Sequence, residues 1–237
     1  MLVHGAFSGA WSWGPLTKQL ESAGHAVETF DLPGSGDDAT PLEEVTLDAY
    51  ADRVCAVLGE REEPAVLVAR SMGGVAVTQA AARCPEKVAT MVYVSAFVPQ
   101  DGQSLLDLTG LPEGADDEVQ ANIVVEGDPP VGTMSPEAAR NAFFEWCSDD
   151  VAEWALERQG TQAVVPFGQP VSVGEGAFDG IRRAYVICSR DRAIPPPLQR
   201  RMVEAAGITD VMEIDTDHSP HLSATAELGA ALNRFAR

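Results

Sequence analysis

Short strand-like runs alternate with helix-like stretches through the first part of this 237-residue chain. The runs are MLVH, AVETF, PAVLVA and VATMVYVSAF, and the stretches between them include PLTKQLESAG and TLDAYADRVCAVLGE. In the second stretch Thr46 is a candidate N-cap, and apolar residues recur at helical spacing. Strand and helix in alternation are typical of a parallel sheet covered by helices on both faces. The sequence therefore predicts an α/β fold, and its length suits one large domain.

The alternation is interrupted between residues 99 and 177, where glycine and proline are scattered and no strand is convincing. Two helices are predicted inside this segment, with Ser135 and Ser148 as their N-caps. Strand and helix patterns then resume with AYVICS, PPPLQRRMVEAAG and DVMEID. We therefore predict a core formed by residues 1–98 and 178–237, with a helical cap inserted at 99–177.

Acidic residues dominate the charge of the chain. The formal net charge is −20, and the only lysines are Lys18 and Lys87. Nucleic acids and anionic membranes bind clustered cations, so this balance argues against both as partners. No charged and then apolar leader precedes MLVHG, and no apolar run is long enough to span a bilayer. The oligomeric state stays open, and a homodimer is one possibility.

The cysteines are widely spaced and form no C-x-x-C pair: Cys55, Cys84, Cys147 and Cys188. Apolar neighbours, as in VCAVL and VICS, are typical of buried thiols. Because disulfides are rare in reducing compartments, we expect unpaired buried thiols and a cytoplasmic location.

The stretch VARSMGG places Ser71 between the strand PAVLVA and the helix-like MGGVAVTQAAARC. A serine at such a junction lies on a tight turn that needs small neighbours, and Ala69, Gly73 and Gly74 satisfy this requirement. The N–H of Met72, at the helix N-terminus, is available to a developing oxyanion. The pattern predicts a nucleophile on a sharp elbow, although a plain helix cap is the alternative.

A serine alcohol is a poor nucleophile and needs a base, which an acid must orient. His218 follows the last strand, in DTDHSPHL, and Asp191 follows the preceding strand, in CSRDRAIPP. Both therefore lie at the same sheet edge as Ser71. We predict a catalytic triad of Ser71, Asp191 and His218.

Other acids and histidines compete for these roles. His221 is an alternative base, but it lies one step further along and is interpreted as packing or a pocket edge. Asp215 and Asp217 precede His218 too closely to reach around its ring, so Asp191 is preferred. His218-x-x-His221 could suggest a metal, but no third ligand is evident, and we predict neither metal nor cofactor.

A second oxyanion donor is predicted after the first strand, in VHGAFSGAW. His4 and Gly5 form a tight turn there, and the N–H of Ala6 can join that of Met72. Aromatic side chains are candidates for the wall of an apolar substrate pocket, although they can also be core packing. They are Phe7, Trp11, Phe143, Phe144, Trp146 and Trp154.

The chain resembles the α/β-hydrolase superfamily, in the branch of plant methyl-ester esterases, hydroxynitrile lyases and their bacterial relatives. The stretches that carry the resemblance are LVHGAFSGAWSW, GHAVETFDLPGSG, ARSMGG, VYVSAFVP, SRDRAIPPPLQRRM and DHSPHLS. The resemblance implies a six-stranded, mostly parallel sheet under a helical cap, with the triad and the oxyanion hole just described.

The chain departs from this branch at several positions. The lyases carry threonine in place of Gly5 and lysine in place of Ser219, which favours ester hydrolysis here over cyanohydrin cleavage. The residue before the nucleophile is usually histidine, and here it is Arg70. A buried cation needs a partner, and Asp31 in FDLPGSG is a candidate.

The leading prediction is a serine hydrolase that cleaves a small or medium, apolar carboxylic ester, thioester or lactone through an acyl-enzyme on Ser71. One alternative keeps the fold but makes it a non-hydrolytic enzyme, such as a lyase, a cyclase or a peroxidase-like enzyme. The other is a degenerate hydrolase that only binds a ligand under its cap.

Overall fold

The computed structural model describes residues 1–236, and its strands and helices follow one another in mixed order. The strands are β1 (Leu2–Val3), β2 (Ala65–Ser71), β3 (Val88–Ala96), β4 (Val124–Glu126), β5 (Val131–Thr133), β6 (Gln162–Ala163), β7 (Arg182–Cys188) and β8 (Asp210–Ile214). The helices are α1 (Gly14–Ser22), α2 (Leu47–Gly59), α3 (Gly73–Arg83), α4 (Leu105–Thr109), α5 (Glu118–Asn122), α6 (Pro136–Phe143), α7 (Asp149–Leu156), α8 (Pro196–Ala205), α9 (Pro220–Ser223) and α10 (Thr225–Phe235). Within residues 1–236, no helix combines the length and the apolar character needed to cross a membrane.

The main sheet has the order β1-β2-β3-β7-β8, and every neighbouring pair in it is parallel. The predicted α/β class is thus confirmed, but the described residues give this sheet five strands and not six. The missing strand is AVETF, which makes only one bridge, between Thr29 and Leu2. Because β1 is only two residues long, its outer edge has too few backbone hydrogen-bonding groups to pair with a longer strand.

Both faces of the main sheet are buried under helices. Ala69 and Tyr93 belong to the core cluster on the side of α2 and α3. Val68 and Val92 belong to a second cluster on the side of α1 and α10. Neighbouring residues of one strand point to opposite faces, so continuous apolar strands such as AVLVA fill two cores at once.

The segment between β3 and β7 contains α4 to α7 and a small antiparallel sheet of order β4-β5-β6. We expected no strand here, and that expectation was wrong. These strands are only two or three residues long, too short for a periodic pattern to reveal. Ser135 caps α6 by accepting from the N–H of Ala138, whereas Ser148 precedes α7 without a side-chain capping bond. The boundaries at 99 and 177 remain a prediction.

Two of the four cysteines are paired. Cys55 of α2 and Cys84, just after α3, form a disulfide with their Cα atoms 6.1 Å apart. The two helices pack side by side, which brings residues 29 apart in the chain within disulfide range. Cys147 and Cys188 are unpaired and buried. The expectation of unpaired thiols was therefore wrong for one pair, and the cysteines no longer support a cytoplasmic location.

Candidate active site

Ser71 is the last residue of β2 and has a left-handed backbone, with φ of 55°. Met72 follows it and α3 begins at Gly73, so the chain reverses within two residues. A Cβ atom at Gly73 would lie 2.5 Å from the carbonyl oxygen of His4, which explains why no side chain is accepted there. A serine held in this rarely populated conformation is the geometry of a nucleophile elbow.

Asp191 and His218 form a buried pair at the same edge of the sheet. The Nδ1 atom of His218 lies 2.8 Å from Oδ2 of Asp191, and both side chains are buried. Five donors surround Asp191, an environment that suits a carboxylate. These donors are Oγ of Ser95, Nδ1 of His218, Nε2 of Gln199 and the backbone N–H groups of Ala193 and Ile194.

The contact with Asp191 fixes which nitrogen of His218 can accept a proton. Because Nδ1 donates to the carboxylate, Nε2 is left with its lone pair. Within residues 1–236, Nε2 is buried and has no hydrogen-bond partner, so the bond to Ser71 Oγ is not made. Catalytic hydrogen bonds of this kind are often long in the unliganded state and shorten when substrate binds.

The predicted oxyanion donors lie beside Ser71. Ala6 and Met72 line the same cavity as Ser71. Phe7, with φ of 58°, turns the chain directly after Ala6, and its own N–H is taken by Oε1 of Gln162. In the part of the chain described, neither the Ala6 N–H nor the Met72 N–H donates to a protein acceptor. Two backbone donors are therefore available beside Ser71.

The cavity at Ser71 has a volume of about 120 Å³ and an almost wholly apolar wall. Among its described lining residues, Asp117 has the one ionisable side chain. Burial raises the pKa of Asp117 to about 6, although hydrogen bonds from Gln120 and Val119 oppose this shift. The main apolar walls come from Phe7, Phe97, Leu105, Phe143, Phe167 and Ile194.

The aromatic residues predicted to line a pocket divide into two groups. Phe7 and Phe143 lie in the wall of the cavity. Trp11 and Trp154 do not, because they pack edge to face on each other, with centroids 5.3 Å apart. Trp146 is 48% exposed and lies against the guanidinium of Arg190. Phe144 is also absent from the wall and packs on the ring of Phe143, with centroids 5.9 Å apart. The pocket prediction was therefore wrong for these three tryptophans and for Phe144.

Asp31 is not the partner of Arg70, so that hypothesis was wrong. Asp31 accepts from the N–H groups of Ala10 and Asp37 and thereby closes two loops. Arg70 instead donates to the carbonyl oxygen of His218 at 3.2 Å and to a neighbouring hydroxyl.

The remaining histidines near the site are buried, and neither contacts Ser71. Nε2 of His4 accepts from the N–H of Leu32, and its Nδ1 lies 2.8 Å from the carbonyl oxygen of Gly5. The ring of His221 packs 4.9 Å from that of Trp13, and burial lowers its pKa well below the usual value. Across residues 1–236, no group of three or more histidine, cysteine, aspartate and glutamate side chains is arranged to hold a metal.

Two polar residues of the site were missed by the sequence analysis. Oγ of Ser95 donates to Asp191 and lies 3.3 Å from Nδ1 of His218. Gln199, on α8, donates to the same carboxylate at 3.2 Å. The position of Ser95 at the end of β3, on the catalytic edge, was a usable signal, whereas a glutamine on an amphipathic helix gives none.

Comparison with known proteins agrees with this fold. The profile of the alpha/beta hydrolase family matches residues 1–231, and the chain belongs to that family. Methylesterase 7 of Arabidopsis thaliana is 32% identical over 250 residues, which cover 100% of this chain and 95% of that protein. An alpha-hydroxynitrile lyase of the same plant is 32% identical over 247 residues, which cover 100% of this chain and 96% of the lyase.

A solved structure of a pyrethroid hydrolase from Sphingobium faniae JZ-2 superposes with a TM-score of 0.90. The two sequences are 26% identical, and the match covers 99% of this chain and 95% of the pyrethroid hydrolase chain. The predicted resemblance to the branch of plant methylesterases and hydroxynitrile lyases is thereby confirmed. The relatives include esterases and a lyase, so the family alone does not choose between their reactions.

Proposed function

We propose that this chain is a serine esterase that hydrolyses a small or medium, apolar carboxylic ester. The observation that carries the proposal is the buried Asp191–His218 pair, 2.8 Å apart, on the same sheet edge as the strained Ser71. A nucleophile, an oriented base and two unused backbone donors are the parts that acyl transfer requires.

In this mechanism Ser71 Oγ attacks the ester carbonyl carbon while Nε2 of His218 takes the hydroxyl proton. Asp191 holds the imidazole in the required tautomer and stabilises the imidazolium. The N–H groups of Ala6 and Met72 hold the oxyanion, a contribution of about 3 kcal/mol for each donor. His218 then returns the proton to the leaving alcohol, and the acyl group stays on Ser71.

Water completes the cycle by attacking the acyl-enzyme with His218 again acting as base. The residues named so far supply every proton transfer.

The wall of the cavity supports an apolar substrate. Its volume of about 120 Å³ suits a short or medium acyl or alcohol group, and aromatic and aliphatic side chains form most of its surface. Asp117 adds a negative charge above a pH of about 6, which disfavours esters that also carry a free carboxylate group.

Cyanohydrin cleavage has less support than hydrolysis. The lyases that this chain resembles carry a lysine where it has Ser219, whose hydroxyl is buried and already accepts from Arg70. They carry threonine in place of Gly5, and here a Cβ atom at Gly5 would lie 2.6 Å from Cβ of Ser71. Neither lyase feature is present.

The proposal is tested by hydrolysis of p-nitrophenyl acetate and p-nitrophenyl octanoate by the wild type, Ser71→Ala and a control, Ser22→Ala, at an exposed serine that ends α1. We expect turnover by the wild type and the control, and loss of at least about a thousandfold in Ser71→Ala. Equal rates for the wild type and Ser71→Ala would contradict the proposal. Release of cyanide from mandelonitrile, without ester turnover, would favour the lyase.

A further inference from the structure

Arg70 is buried directly behind the catalytic residues. It precedes Ser71 on β2, and only 3% of it is exposed. Its Nε donates to the carbonyl oxygen of His218 at 3.2 Å, and its Nη2 donates to Oγ of Ser219 at 3.3 Å. One side chain therefore joins the strand that ends in the nucleophile to the loop that carries the base.

A buried guanidinium without an ion pair is costly, so its presence here needs a reason. None of the ion pairs formed by residues 1–236 includes Arg70. Burial lowers the pKa of Arg70 to about 10, and the charges of Asp191 and then Asp217 oppose this shift. The side chain is thus a fixed cation at neutral pH, held near two buried carboxylates.

We infer that Arg70 is a positioning residue of the proposed esterase reaction, which fixes the backbone of His218 relative to Ser71. The inference rests on the proposed function. It follows from the bond to the His218 carbonyl, because a small displacement of a base from its nucleophile slows proton transfer strongly.

Three variants separate position from charge. Arg70→Met keeps most of the volume but removes both the charge and the hydrogen bonds. Arg70→Lys keeps a charge but loses the planar fork that reaches His218 and Ser219 together. Ser219→Ala is the matched control, because it removes one contact of Arg70 but leaves the charge and the bond to the His218 carbonyl.

We expect Arg70→Met to lower kcat about 10- to 100-fold with little change in KM, because Arg70 does not line the cavity. In Arg70→Lys, kcat should stay reduced although the charge is kept. Ser219→Ala should keep most of kcat.

The experiment measures kcat and KM separately for a p-nitrophenyl ester, and the rate at which a fluorophosphonate labels Ser71. Labelling requires only the activated serine, so it tests Arg70 even if the chain hydrolyses no ester and the proposed function fails. An unchanged kcat and labelling rate in folded Arg70→Met would overturn the inference. If Arg70→Met does not fold, Arg70→Lys decides, and full wild-type kcat in that variant would overturn it.

Discussion

The carboxyl group of Asp117 makes the stability of this protein depend on pH in an unusual direction. Most paired carboxylates stabilise the folded state as pH rises, whereas burial raises the pKa of Asp117 from 3.8 to about 6. Between these two values the folded state binds more protons than the unfolded state. The contribution of Asp117 to stability is therefore lost as pH rises from about 4 to about 6.

The size of this contribution follows from the shift. A rise from 3.8 to about 6 is about two pKa units, which corresponds to about 3 kcal/mol at 1.36 kcal/mol per unit. Asp117→Asn removes the charge and keeps an N-cap oxygen for the N–H groups of Val119 and Gln120. We expect it to raise the free energy of unfolding by about 2–3 kcal/mol at about pH 7.5, and to have little effect at about pH 4.

The assay is urea denaturation of the wild type, Asp117→Asn and the exposed control Asp116→Asn, at both pH values. The quantity of interest is the difference between the effect of Asp117→Asn at the two pH values. A difference below about 0.5 kcal/mol, or the same difference in Asp116→Asn, would show that the charge of Asp117 is not penalised by burial.

Two further changes test the packing around the sheet and the site. The double variant Cys55→Ala/Cys84→Ala should lose about 3.5 kcal/mol of stability, because the disulfide closes a loop with a sequence separation of 29 in the unfolded chain. If a reductant left the melting temperature of the wild type unchanged, this result would contradict the disulfide. Ser95→Gly and Ser95→Ala both remove a hydrogen bond to Asp191, and we expect each to lower kcat/KM about tenfold, since one net hydrogen bond is worth about 1–2 kcal/mol. Because φ of Ser95 is 41°, the alanine variant should also be less stable than the glycine variant. If both variants were as active as the wild type, Ser95 would not contribute to the site.

Much of the fold could be predicted because long apolar strands and amphipathic helices differ in period. The runs PAVLVA, VATMVYVSAF, AYVICS and DVMEID coincide with β2, β3, β7 and β8. AVETF also contains β-branched and aromatic residues, yet it makes a single bridge, because the length of a strand depends on the neighbour that pairs with it. The sheet of β4, β5 and β6 depends on non-local pairing and leaves no local pattern.

The candidate site was predictable where chain order and sheet topology decide it. Ser71 is the last residue of a parallel strand, and Asp191 and His218 each follow one; the carboxyl ends of such strands meet at one edge. The partners of these side chains were not predictable in the same way. Arg70 approaches the His218 loop and not Asp31, and such a choice depends on side-chain paths that the sequence pattern does not contain.

The proposed mechanism requires that Ser71 becomes covalently acylated during turnover. This is measured most directly by rapid-quench reaction with a p-nitrophenyl ester, followed by mass spectrometry of the intact protein and its peptides. We expect a stoichiometric burst of p-nitrophenol, with the acyl group on the peptide that contains VARSMGG and no burst in Ser71→Ala. Turnover without an acyl-enzyme, or an acyl group on another residue, would contradict it.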